Sequence, residues 1–171
     1  RVLFRSSTNE DGERYIAAAA AGQSGQGVIS PVFMRGASVG GEDWKVGGSV
    51  AQRGIRNGVG LNNIGLLIQI SGVVTLRGRD WFYIDDGSRV TDGTGIIGIF
   101  ISAPGMQVPA VGSSVVVTGI SSGELYETTL VSTLLPRSQS DIVVVSGPGW
   151  AGPLATPDSA NDDAIRPRDI R

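Results

Sequence analysis

An alternating segment near the middle of the chain limits what the sequence can fold into. In residues 66–77 (LLIQISGVVTLR) one face of an extended chain would carry Leu66, Ile68, Ile70, Val74 and Leu76. Polar side chains occupy most of the other face, and a period of two is typical of a half-buried β-strand. Gly72 falls on the inward face, which predicts a bulge or a tight bend such as barrels use at corners.

Further short strands are predicted downstream, separated by segments rich in Gly, Pro and Asp. They cover residues 80–85, 96–103, 114–121, 124–135 and 141–146. No segment of this region repeats apolar residues with the helical period over a helical length. Short strands with Gly-rich turns predict an all-β fold, either a sandwich or a barrel. The long, kinked first strand, followed by a meander and two more strands, favours a small OB-like Greek-key β-barrel.

Four segments of this region resemble the OB-fold modules of exported bacterial proteins. They are GLNNIGLLIQISGVVT, FYIDDGSRVTDGTGIIGIFI, PAVGSSVVVTGISS and LPRSQSDIVVV, and the Gly-rich lead FMRGASVGG precedes them. The resemblance spans residues 32–145 and implies an OB-fold in an exported protein. It implies no particular activity: OB-folds bind oligonucleotides or oligosaccharides as a class, and a fold does not decide a function.

Composition divides the chain into three parts. Residues 1–63 form an N-terminal arm and Gly-rich lead, 64–146 form the barrel, and 147–171 form a C-terminal tail rich in Pro, Asp and Ala. GQSGQG and SVGGEDWKVGG lack the Lys-Ser/Thr ending of a phosphate-binding loop, so they predict linkers that are flexible or turn tightly. The chain begins without Met, so either a leader has been removed or the sequence is a fragment of a longer protein. Removal of a leader fits export and predicts an extracellular or cell-surface location.

The segment 12–22 (GERYIAAAAAG) has two interpretations. Its five alanines and the closing Gly22 favour a helix. The residues TNEDGE, which overlap the start of this segment, are typical of a turn, which favours two strands on either side of it. Residues 123–135, in a strand-rich region, begin with the same Gly-Glu-X-Tyr, which also favours a strand. An arm made of strands has two possible uses: it can add a strand to its own barrel, or it can pair with the open sheet edge of a neighbouring copy. The predicted contact residues of this arm are Val2, Leu3, Phe4, Tyr15 and Ile16.

The residue types exclude several classes of function. The chain has neither Cys nor His, so it lacks disulfides, thiolate metal sites and the commonest general base. Most carboxylates lie in turns or tails, and nothing in the sequence converges on Glu124 and Glu127, so no enzyme is predicted. A net charge of −2 argues against binding nucleic acid or an anionic membrane surface. No apolar run approaches about 18 residues, so no membrane span is predicted.

A turn-rich loop, DDGSRVTDGTG, carries the only candidate metal ligands. Asp85, Asp86 and Asp92 offer the clustered carboxylate oxygens that calcium prefers on a turning loop. The spacing is not that of an EF-hand, and no Glu closes the loop. Turn chemistry explains the same residues. This is the favoured interpretation, and no cofactor is predicted.

The segment RGRDWFY supplies the candidate ligand or interface residues, which are Arg77, Arg79, Trp81 and Tyr83. OB-fold binders stack bases on aromatic rings and track phosphates with arginine. If Phe82 faces the core, then Trp81 and Tyr83 lie on the opposite face of the strand, displayed for a ligand or a subunit. The alternative is that these aromatics fill a core.

Together these features predict a structural, self-assembling subunit of an extracellular filament or surface layer. Its partners are copies of itself, joined by the terminal arm in a strand-donation-like contact. Such a head-to-tail contact does not close, so it propagates. The alternative is an OB-fold binding module for an oligosaccharide or single-stranded nucleic acid, with the ligand on the face of Trp81 and Tyr83.

Overall fold

The computed structural model describes residues 5–8, 14–17 and 27–147, the first two ranges as backbone only. These residues contain no α-helix, and the all-β prediction is confirmed. They form eleven strands: β1 (Arg5–Thr8), β2 (Arg14–Ala17), β3 (Val32–Phe33), β4 (Trp44–Val46), β5 (Ser49–Gln52), β6 (Leu67–Arg77), β7 (Trp81–Asp85), β8 (Ile99–Ser102), β9 (Ser114–Tyr126), β10 (Thr129–Leu135) and β11 (Ile142–Ser146). Two 3₁₀ turns, Gly36–Ser38 and Gln139–Asp141, lie between them.

The N-terminal arm forms strands where it is described. β1 pairs antiparallel with β2, with Ser7 opposite Tyr15 and Ser6 opposite Ile16. Of the two interpretations of 12–22, the structure therefore supports the strand over residues 14–17. The predicted contact residues Val2, Leu3 and Phe4 lie outside the described residues, and of Tyr15 and Ile16 only the backbone is described.

Seven strands form one mixed sheet in the order β11–β9–β10–β8–β7–β6–β3, and β9 also pairs with β6. That additional pairing makes β6, β7, β8, β10 and β9 a closed circuit of paired strands. Within the circuit only β8 and β10 run parallel, with Phe100 opposite Thr133. β3 and β11 lie outside the circuit, and each attaches by one edge, β3 to β6 and β11 to β9.

β6 changes partners near its middle, close to Gly72. Its first part pairs with β9 on one edge and with β3 on the other, and from Val73 onwards β7 replaces β3. A Cβ added to Gly72 would lie 2.6 Å from the backbone oxygen of Asp85. The absence of a side chain at this position therefore lets β7 approach β6 closely.

A bulge in β6 lies beyond the glycine that the sequence singled out. The register of β6 against β7 shifts between Val74 and Leu76. Because a bulge adds one residue to a strand, it moves the next side chain to the other face. Val74 packs in the main core, whereas Leu76 packs against Trp81 and its neighbours. The prediction that Leu76 shares the face of Val74 is wrong for this reason.

The main core lies on one face of the circuit, and all five circuit strands contribute to it. Val39 from the Gly-rich lead also packs there, so part of the predicted 1–63 lead belongs to the core. Burying a large aliphatic side chain contributes about 1.5–3 kcal/mol. The core residues on the circuit strands are Ile68, Ile70, Val74, Phe82, Ile84, Ile99, Ile101, Val115, Val117 and Leu134.

Two predicted strand boundaries are wrong because Gly123 is not a turn residue. β9 continues through Gly123 to Tyr126, and β10 starts at Thr129. A Cβ on Gly123 would lie 2.7 Å from the side chain of Leu130, so this glycine makes room for the facing strand. The turn instead contains Glu127, which has a φ of 54°. The predicted strand 96–103 is also shorter, at Ile99–Ser102.

Asn63 ties the lead to the sheet. Its side-chain oxygen accepts hydrogen bonds from the Gly40 N–H and the Ser121 hydroxyl, both at 2.8 Å. Its side-chain nitrogen donates to the carbonyls of Ser38 at 2.6 Å and Leu61 at 3.1 Å. The residue is 5% exposed, so these four bonds satisfy a buried amide.

The lead also carries a separate two-stranded hairpin formed by β4 and β5. Gly47 and Gly48 form its turn, with φ values of 57° and 84°. Both central residues of such a tight turn need a positive φ, which glycine adopts without strain. Most of the hairpin is exposed, and Trp44 is 54% exposed.

Replacing Gly72 with Ala should destabilise the fold by about 2 kcal/mol, because the new methyl group would overlap the backbone of Asp85. Urea unfolding followed by circular dichroism measures the loss. Gly147→Ala is the matched control, since a Cβ there meets nothing within 4 Å. If Gly72→Ala unfolds at the wild-type urea midpoint, β7 does not depend on this close approach.

Candidate functional site

Three aromatic rings form a second buried cluster on the face of β7 and β8 opposite the main core. Trp81 stacks on Phe100 with ring centres 5.9 Å apart and planes inclined by 25°. Tyr83 meets both rings edge-on, at 5.3 Å from Phe100 and 6.1 Å from Trp81. Offset stacking and edge-to-face contact are the favourable geometries of aromatic pairs.

The structure separates the four predicted ligand or interface residues. Arg77 and Arg79 are exposed, but Trp81 is 2% exposed and Tyr83 is 0% exposed. The expectation that the two rings are displayed is wrong, because both faces of β7 are buried. A base or sugar needs an open ring face for stacking. Neither ring offers one here. The role of the four residues at a ligand or interface stays a prediction.

The predicted metal ligands are engaged within their own turns. Asp85 Oδ1 accepts the N–H groups of Gly87 at 3.2 Å and Arg89 at 3.0 Å. Asp92, which is 4% exposed, accepts from the Tyr83 hydroxyl at 2.8 Å and from the Thr94 N–H at 3.0 Å. Among the described residues no three acidic side chains come together as a metal ligand set.

Asp86 links this loop to the lead. Its carboxylate accepts the Gly36 N–H at 2.7 Å and the Ser88 N–H at 3.0 Å, and it also accepts the Ser88 hydroxyl. Burial raises the pKa of Asp86, but the hydrogen bonds from Ser88 and Gly36 outweigh burial, and the net pKa is lowered. The carboxylate therefore acts as a turn anchor.

An exposed sheet edge is the strongest candidate for a functional surface. β11 pairs with β9 along one edge, and no strand among residues 27–147 pairs with its other edge. Ile142 is buried in the core, whereas Val143 and Val144 are each 51% exposed and Val145 is 66% exposed. Side chains alternate between the faces of a strand, so both faces of this part of β11 are open to solvent. We call residues 143–145 the β11 edge.

A second exposed apolar segment lies at the opposite end of the sheet order. Residues 28–33 end in β3, and Val28 and Ile29 are 96% and 78% exposed. Val32 and Phe33 are 51% and 63% exposed although they pair with β6. We call these residues the 28–33 segment. Four large apolar side chains exposed in six residues are typical of a contact surface.

The turn that precedes β11 holds the start of the strand in place. Asp141 accepts hydrogen bonds from Arg137 through the backbone N–H at 2.9 Å, Nε at 2.9 Å and Nη2 at 2.8 Å. These bonds lower the pKa of Asp141, with the Arg137 side chain as the largest cause. Gln139 Oε1 also accepts the Gln107 N–H at 2.7 Å. β11 therefore begins from a fixed position.

Sequence reasoning did not single out either exposed surface. The run of three valines was assigned to a short strand, but strand propensity alone does not distinguish an edge from a centre. One signal was present, since β11 contains no charged residue that would protect an edge strand.

Comparison of the chain with protein-family models, curated proteins and solved structures finds no match. The described part of the chain contains no helix with the length and apolar character needed to span a membrane.

Replacing Asp141 with Asn should weaken the turn before β11 and flatten the pH dependence of stability. The folded-state pKa of Asp141 lies below its unfolded value of about 3.9, so its contribution is complete above that value. The contribution disappears as pH falls through the folded-state pKa. Urea unfolding between neutral and acidic pH should therefore show a smaller acid-induced loss in the variant.

Asp80→Asn is the matched control, because no hydrogen bond to the Asp80 carboxylate is seen among residues 27–147. It should keep the wild-type pH profile. An acid-induced loss in Asp141→Asn as large as that of the wild type would contradict the assigned role of Asp141.

Proposed function

We propose that this protein is a structural subunit that polymerises outside the cell, as a filament or a surface layer, by adding strands between copies. The β11 edge is the observation that carries the proposal. An edge strand presents unpaired N–H and C=O groups, and natural proteins usually protect such edges with charges or proline. β11 exposes three valines there instead.

In this proposal the body of the subunit is an OB-like Greek-key barrel. The closed circuit of β6, β7, β8, β10 and β9 supports this assignment, since the OB-fold is a five-stranded, partly open barrel. Strands β3 and β11 are additions on the outside of the circuit. They leave the circuit intact, so they are free to serve contacts between copies.

The donor is the 28–33 segment of the next copy, together with the N-terminal arm that precedes it in the chain. β-Augmentation combines backbone hydrogen bonds with side-chain burial, and both partners here offer exposed apolar side chains. Donor and acceptor are different surfaces of the same chain. The contact is therefore heterologous, and it propagates along a line of copies rather than closing into a symmetric dimer.

A lysine on either surface should stop polymerisation without unfolding the subunit. Val144→Lys places a charge on the β11 edge, which is a device natural edge strands use. Ile29→Lys does the same on the donor, and Val111→Lys is the matched control because Val111 is 41% exposed in the connector before β9. Electron microscopy and sedimentation velocity measure the polymers. The wild type and Val111→Lys should form them, and the other two variants should not.

Mixing the two blocked variants tests the direction of the contact. Val144→Lys keeps an intact donor and Ile29→Lys keeps an intact β11 edge, so the mixture should form dimers that grow no further. If Val144→Lys alone forms polymers, then β11 is not the acceptor strand. A wild-type chain that stays monomeric at every concentration would overturn the proposed function as a whole.

A further inference from the structure

A cleft with two arginines lies away from both surfaces of the proposed polymer contact. It has a volume of about 250 Å³ and lies between the turn that follows β5 and the loop that joins β7 to β8. Arg56 comes from the turn and Arg89 from the loop, and Ile55, Val59 and Val90 supply apolar walls. The cleft therefore combines positive charge with an apolar lining.

The backbone of both arginines is held by hydrogen bonds from their N–H groups. The Arg56 N–H donates to the Leu130 carbonyl at 2.6 Å, and the Arg89 N–H donates to Asp85 Oδ1 at 3.0 Å. The Arg56 guanidinium lies against the β7–β8 loop, because a Cβ on Gly93 would be 2.5 Å from its Nη1. The first arginine thus reaches the loop that carries the second.

Among residues 27–147, no acidic side chain forms an ion pair with either guanidinium. The ion pair found within residues 27–147 joins Arg137 to Asp141, on another part of the surface. Asp85 ends β7, and the β7–β8 loop contains Asp86 and Asp92. These three carboxylates accept hydrogen bonds from their own turns, from the lead and from the Tyr83 hydroxyl. Two guanidinium groups beside one cleft, with no ion-pair partner in the described part of the chain, are suited to binding an anion.

The backbone around the cleft is held in an unusual conformation. Arg89 and Asn57, which both line the cleft, have φ values of 53° and 56°. Among residues 27–147 the only other residue that is not glycine and has a positive φ is Glu127. Such conformations cost about 1–3 kcal/mol for a residue like arginine, and they persist only where surrounding contacts enforce them.

We propose that this cleft binds a small organic carboxylate. The guanidinium groups of Arg56 and Arg89 would hold the carboxylate, and Ile55, Val59 and Val90 would cover an apolar body. Pockets for drug-sized ligands measure about 300–1,000 Å³. The smaller cleft therefore fits a ligand of the size of one aromatic ring or a short aliphatic chain.

Titration of the ¹⁵N-labelled full-length chain with benzoate tests the proposal. Benzoate should shift the amide resonances of residues 55–59 and 89–91 in a saturable manner. Benzyl alcohol has the same ring without the charge, and inorganic phosphate has charge without the ring. Both should bind more weakly than benzoate. If benzyl alcohol binds as tightly as benzoate, the arginines do not contribute to binding. If phosphate binds as tightly as benzoate, the apolar walls do not contribute.

Substitutions distinguish the contribution of the two cleft arginines to benzoate binding from that of other positive charges on the surface. Arg56→Gln and Arg89→Asn should each raise the benzoate Kd about tenfold, and asparagine is chosen at 89 because it tolerates a positive φ. Arg53→Gln is the matched control, since Arg53 is exposed in the same lead but does not line the cleft. Equal weakening by Arg53→Gln, or no shift of the cleft amides with benzoate, would overturn the proposal.

Discussion

The sheet depends on β9, because three other strands pair with it. One edge of β9 pairs with β6, and the other edge pairs first with β11 and then with β10. Thirteen residues at about 3.4 Å each give the strand enough length for these pairings. Without the pairing of β9 to β6, the five circuit strands would be an open sheet. The glycines within β9 fit this role, since Gly119 and Gly123 face close neighbours on β10.

Much of the fold was predictable from alternation, and the parts that were not have identifiable causes. Ile68, Ile70 and Val74 are buried as the period of two predicts. The same pattern assigns Phe82 and Trp81 to opposite faces, but it does not tell whether a second layer covers the outer face. Gly123 illustrates the same difficulty for glycines. The sequence alone does not distinguish a glycine that forms a turn from one that makes room for a facing strand. The difference depends on Leu130, which belongs to another strand.

The lead and the candidate surfaces were harder to predict because their structure depends on distant residues. A Gly-rich segment looked like a linker, yet Asn63 fixes it through Gly40 and through Ser121 of β9. Of the partners of this amide only Leu61 is close in sequence, whereas Ser121 lies 58 positions away. The exposure of the β11 edge and of the 28–33 segment depends likewise on which strands reach the ends of the sheet. The sequence pattern predicted a strand over residues 141–146 but did not locate it at an edge, and it placed residues 28–33 in the Gly-rich lead without a strand.

The different environments of two tryptophans give the molecule two separate optical probes. Trp81 is enclosed by aromatic rings, whereas Trp44 stands on the exposed β4–β5 hairpin. A soluble collisional quencher has access to the indole of Trp44 and not to that of Trp81. The third tryptophan, Trp150, lies outside the described residues, so in a Trp150→Phe variant intrinsic fluorescence distinguishes an event at the hairpin from one that opens the aromatic cluster.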